Sequence, residues 1–113
     1  MDWENLIEEI EDMGASQKRA LDSYLQRLIE HILKLKYWES EKERCRNGWM
    51  KEVTNFRNQI NRTLKKNPSL KNYLKDEYQD IFADAVKVMK YDFNIPEGDF
   101  IILDLMMAED FFG

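Results

Sequence analysis

The chain has 113 residues, 43% hydrophobic and 35% charged, with a net charge of −5. That length makes one domain, residues 1–113, and can bury a core without disulfide or metal support. The single cysteine, Cys45, excludes an intramolecular disulfide and fits a reducing compartment. Apolar runs such as residues 100–103 are far too short to cross a bilayer, and no basic region followed by an apolar stretch opens the chain. The expectation is therefore a cytoplasmic protein with no membrane segment and no secretory signal.

Charge is segregated along the chain. Residues 1–16 carry six acids and no base, residues 17–66 thirteen bases against six acids, and residues 67–113 four bases against ten acids. Such blocks suit helices that attract one another, or a basic face for a polyanion.

Apolar spacing predicts helix almost throughout. In the first segment Trp3, Leu6, Ile7, Ile10 and Met13 share a face, with Asp2 as N-cap and Gly14 as the stop. Ser16 caps a second helix with a wide stripe of Leu21, Tyr24, Leu25, Leu28, Ile29, Ile32 and Leu35, flanked by Leu33 and Trp38. A stripe that wide suits a central helix touching more than one neighbour. Ser40 and Glu43 have capping-box spacing and predict the start of a third helix, striped by Cys45, Trp49, Val53, Phe56, Ile60 and Leu64. Gly48 inside it marks a bend or a close helix crossing, and Pro68 ends it. Ser69 caps a fourth helix, from Leu70 through Tyr78 and Phe82 to Met89, stopped by the stretch Asn94-Ile95-Pro96-Glu97-Gly98. The apolar tail predicts a short helix over roughly residues 103–108. With no period-2 pattern of useful length, the fold class is all-α: an antiparallel bundle of four main helices plus a short C-terminal helix.

"ENLIEEIEDMG", then "S-x-x-x-ALDSYLQRLIEHILK", "W-x-x-E-V-x-x-x-R-x-x-I-x-x-x-L" over residues 49–64, "NPSLKNYL" and the closing "LMMAEDFFG" occur in that order. The order resembles the domain of unknown function family twenty-nine, small helical proteins abundant in cyanobacteria, over essentially the whole chain. The resemblance implies a helical fold and no activity or catalytic residues. Members of that family usually carry a further N-terminal segment, so one face of the bundle is expected to lack its usual cover. The stretch "YDFNIPEGDF" follows the family pattern only loosely.

Three groups of residues raise functional questions. Glu4, Glu8 and Glu11 share a helix face with Asp12 beside them, opposite the apolar stripe. Glu8-x-x-Glu11 and Glu77-x-x-Asp80 have the local spacing of metal sites in helical nucleotide pyrophosphohydrolases, but the separation between them is too long for that family. With His31 they are the candidate metal ligands. The reading preferred is a solvated or salt-bridged face, because bundle metal sites need carboxylates that point into the core. Acids crowded at helical spacing would be relieved by cations such as Lys18, Arg19, Arg46 or Arg57. His31 alone is preferred as a hydrogen-bonded residue at the core margin, and Cys45 as an inert buried thiol.

The basic stretch Lys42, Arg44, Arg46, Lys51, Arg57, Arg62, Lys65 and Lys66 offers phosphate contacts, yet the cations are spread around the helix and the protein is acidic overall. The most suggestive residues are Trp3, Trp38, Met106, Met107, Phe111 and Phe112, as interface candidates or as a tail that folds back on the bundle. The leading expectation is a non-enzymatic protein–protein interaction module, a homodimer or a binder of another protein, with no cofactor. A metal-dependent hydrolase and a small nucleic-acid-associated or antitoxin-like regulator are the alternatives.

Overall fold

The computed structural model describes the backbone of residues 3–113 and the side chains of residues 15–113. The described residues contain helices and no strand. Helix α1 spans Trp3–Tyr37, α2 Glu39–Lys66, α3 Leu70–Met89, and the short α4 Leu103–Met106. Three long helices and one short one thus replace the four long ones expected.

The difference lies at Gly14. It does not end a helix; α1 runs through it as one 35-residue element. A glycine inside a helix costs ~1 kcal/mol relative to alanine. Against that, the apolar stripe stays in register across it, since Ile10 and Leu21 lie close to three whole turns apart. The Asp2 cap and the side chains of Trp3, Leu6, Ile7, Ile10 and Met13 lie outside the described residues.

Other local signals also yield. The capping box at Ser40 does not form: α2 already begins at Glu39, with Trp38 at the cap position and no side-chain cap. Trp38 O instead accepts from the Lys42 N–H at 3.0 Å, and Glu39 and Glu41 in the first turn suit the helix dipole. Gly48 is no crossing point, because a Cβ there would meet nothing within 4 Å. Ser69 holds the cap position of α3 without a capping hydrogen bond. At the other end of α3, turns at residues 90–93 precede the Asn94-Ile95-Pro96 stretch, and α4 is shorter than the helix expected over residues 103–108.

The wide stripe of α1 behaves as its width predicts. Leu21, Leu25, Leu28, Ile29, Ile32, Leu33 and Leu35 are buried, and α1 packs on both α2 and α3. From α2 come Val53 and Ile60, from α3 Leu74, Tyr78, Ile81, Phe82, Ala85 and Met89. Where chain segments converge, Trp38 stacks between Trp49 at 5.9 Å and Phe93 at 5.4 Å. Near the start of α3, the Tyr73 hydroxyl donates to the Asp22 carboxylate, 2.9 Å from each oxygen, and Lys18 lies 5.2 Å from the Tyr73 ring centre.

Two measurements test this arrangement. In a helix interior Gly14→Ala stabilises by up to ~1 kcal/mol. At a left-handed helix stop the same change destabilises, so the direction of the shift in thermal midpoint decides. Burial, then the Asp22 carboxylate, push the Tyr73 phenol up to about 12. The folded state therefore holds that proton after the unfolded chain has lost it near pH ~10. The Tyr73 contribution is intact below pH ~10 and falls as pH rises toward about 12, and Tyr73→Phe flattens that part of a stability–pH curve.

Candidate functional site

Arg57 follows Val53 by four residues and precedes Ile60 by three, so helical spacing places it on the buried face of α2. It is only 3% exposed. Its guanidinium donates to three backbone carbonyls of the tail: Nε to Met106 O at 2.9 Å, Nη1 to Glu109 O at 3.4 Å and Nη2 to Phe111 O at 2.5 Å. The same group lies over the Phe112 ring, 5.4 Å from its centre. A four-residue helix and the irregular chain after it leave carbonyls without helical donors, and the planar fork of one arginine supplies them. Burial lowers the Arg57 pKa, while Asp110 and Glu109 draw it back. An arginine keeps its proton regardless, so the bonds are charge-assisted.

The tail before α4 is held by other means. The Tyr78 hydroxyl donates to Ile101 O, and Ile101 is buried. Burial pushes the Tyr78 phenol well above its ordinary range, which keeps it a donor. Ile102 is extended, with φ −66° and ψ 152°. Side chains therefore alternate here: Ile101 points in, while Phe100 and Ile102 are exposed, followed by exposed Leu105. The Phe100 ring meets Phe82 edge-on at 5.0 Å and Tyr78 at 5.7 Å. Between Phe100 and α3 lies an open groove of about 440 Å³, with Phe82, Val86 and Phe100 as its apolar lining and Lys87, Lys90 and Asp99 among its polar residues.

Asp99 ties this loop to α1. Its Oδ1 is 3.5 Å from Lys36 Nζ, and its Oδ2 is buried without a hydrogen-bond partner. Burial, then Asp99, raise the pKa of the neighbouring Tyr37. Burial works against the Lys36 charge, but Tyr37 and Asp99 outweigh it and the Lys36 pKa rises. Lysine, tyrosine and aspartate thus form an anchoring cluster at one end of the groove.

The metal candidates do not converge where the structure describes them. Glu77 is half-buried and Asp80 exposed on α3. His31, on α1, sits with Nδ1 2.7 Å from Arg27 O and its ring 5.5 Å from Phe56. Burial lowers its pKa most, only partly opposed by the Arg27 carbonyl. Among the described residues no group of three or more His, Cys, Asp and Glu side chains comes together. The side chains of Glu4, Glu8, Glu11 and Asp12 lie outside the described residues, as does that of Trp3.

Of the interface candidates, Met106 is fully buried, Met107, Phe111 and Phe112 are half-buried against the core, and Trp38 is in its aromatic stack. The tail therefore folds back on the helices. The basic stretch of α2 is broken up: Arg57 is inside, Arg44 pairs with Glu41 at 2.6 Å and Lys42 approaches Glu39 at 4.0 Å. Cys45 is half-buried. Arg57, expected as a cation for phosphate or for the acidic first segment, is instead a buried clamp, and nothing in the sequence marks Tyr78 as a donor or Asp99 as an anchor. The Val53–Arg57–Ile60 spacing was the available signal for Arg57.

These features define a small all-helical protein whose tail is fastened by a buried arginine and presents an apolar strip beside a groove; no described helix is long and apolar enough to cross a membrane. The chain belongs to the family described as Domain of unknown function DUF29, whose model matches residues 1–112. No curated protein and no solved structure matches it.

Replacing Arg57 tests the clamp. Arg57→Ala leaves buried carbonyls unpaired, and a loss of roughly 2–4 kcal/mol is expected in denaturant unfolding. Arg57→Lys keeps the charge but not the fork, and should recover only part of that loss. A full recovery would mean that charge alone holds the tail.

Proposed function

We propose that residues 1–113 form one antiparallel helical bundle that works in the cytoplasm as a non-enzymatic protein–protein interaction module, in the first instance as a homodimer. Side-chain pairs support the antiparallel arrangement of α1 and α2: His31 meets Phe56, while Lys34 and Trp38 meet Trp49. The connections between the long helices are short, as antiparallel neighbours require.

The observation that carries the interaction reading is the tail strip. Phe100 is 49%, Ile102 59% and Leu105 42% exposed on a segment held by buried Ile101 and Met106. Large apolar side chains held outward from a fixed backbone lose little freedom on binding, which is what an anchor residue needs. The contact surface would join this strip to the start of α1, including Trp3, with Met107, Phe111 and Phe112 along its edge. Met106 would act from inside, by holding α4 in place.

Sedimentation equilibrium from low micromolar concentration upward tests the reading. The expected result is a dimer whose dissociation constant rises at least ~10-fold in Ile102→Glu and in Leu105→Glu, since burying a charge in an apolar contact costs more than ~1.4 kcal/mol. A chain that is monomeric at every accessible concentration would remove the homodimer.

A further inference from the structure

We propose that the groove beside α3, lined by Phe82, Val86 and Phe100 and bordered by Lys87 and Lys90, receives the acidic, amphipathic start of α1 from a second copy of this chain. The inference rests on the homodimer reading and names the two surfaces that meet. An open apolar groove with cationic borders calls for an occupant with an apolar stripe and acidic flanks. The chain itself carries such a segment. Trp3, Leu6, Ile7 and Ile10 have the i, i+3, i+4, i+7 spacing by which a helix anchors in a groove, and on the helical wheel Glu9 and Glu11 fall at the two edges of that stripe, with no base among residues 1–16. The groove's own carboxylate, Asp99, is already opposed by Lys36, which leaves Lys87 and Lys90 to face an incoming acid.

Helix lengths make the segment reachable. Tyr73 in the first turn of α3 meets Lys18 and Asp22 of α1, and Phe93 beyond the end of α3 stacks on Trp38 beyond the end of α1. So α3 flanks α1 from about Lys18 onward. At ~1.5 Å per residue, roughly 22 Å of α1 precedes that contact, starting at Trp3. A two-fold axis would place this arm of each copy in the groove of the other and close the assembly at two.

Charge reversal on each surface, measured by sedimentation equilibrium on the full chain, tests the pairing. The double variants Lys87→Glu/Lys90→Glu and Glu9→Lys/Glu11→Lys should each raise the dimer dissociation constant at least ~10-fold, and the variant carrying all four changes should return to within ~3-fold of wild type. Circular dichroism melting shows whether each variant is folded. If a double variant does not fold, Phe100→Ser and Trp3→Ser replace it, with the same weakening expected. A wild-type dimer indifferent to the groove changes overturns this inference and leaves the homodimer reading standing. Weakening without recovery in the fourfold variant overturns the pairing of these two surfaces. A wild type that stays monomeric overturns both and leaves the groove to a different chain.

Discussion

The Arg57 guanidinium is the interaction on which the end of the molecule depends. Its three acceptors lie 49 to 54 residues away in sequence and belong to the backbone, so one side chain fixes the path of the tail whatever the tail's own side chains prefer. A tail without such a partner would carry buried carbonyls with no donor, at a cost comparable to losing several hydrogen bonds. The clamp is also what allows an element as short as α4 to stay helical, because four residues cannot sustain a helix by propagation alone. With α4 in place, Met106 fills the core and the residues just before it keep their inward and outward alternation.

The sequence made legible whatever the hydrophobic pattern controls. The α1 stripe from Leu21 to Leu35, its unusual width and its role between two neighbours all follow from apolar spacing, as does the α3 face from Leu70 to Met89. What misled were signals worth about 1 kcal/mol each, set against a long in-register stripe. Gly14 and the Ser40–Glu43 pair are stop and start signs in isolation, and both lie inside continuous helices. Ser69 occupies its cap position without making the bond that justified the assignment.

The candidate site was less legible, for a different reason. Residues 100–105 read Phe-Ile-Ile-Leu-Asp-Leu, an apolar run with no period that separates inward from outward positions. Only the Tyr78 bond to Ile101 and the burial of Met106 decide which of them face out. Arg57 stood in plain view on the α2 stripe, but its partners are carbonyls, which every residue has and no sequence distinguishes. Asp99 likewise gains meaning only from Lys36, 63 positions earlier in the numbering.

Taken together, the anchors bear on function through rigidity. The strip is tied at Asp99 to α1, at Ile101 to α3 and at Met106 to α2, so each exposed residue lies within a few positions of a fixed point. A surface held in that way would spend little free energy on ordering in the proposed interaction. It also leaves little room for a segment that opens and closes. Phe100 is packed edge-on against two rings while about half of it remains exposed, so its accessible half is a fixed edge of the groove and its buried half a part of the wall. The same aromatic contacts that stabilise the fold therefore set the shape of the groove wall, and under the proposed pairing a change at Phe82 or Tyr78 beneath would act on recognition through that shape.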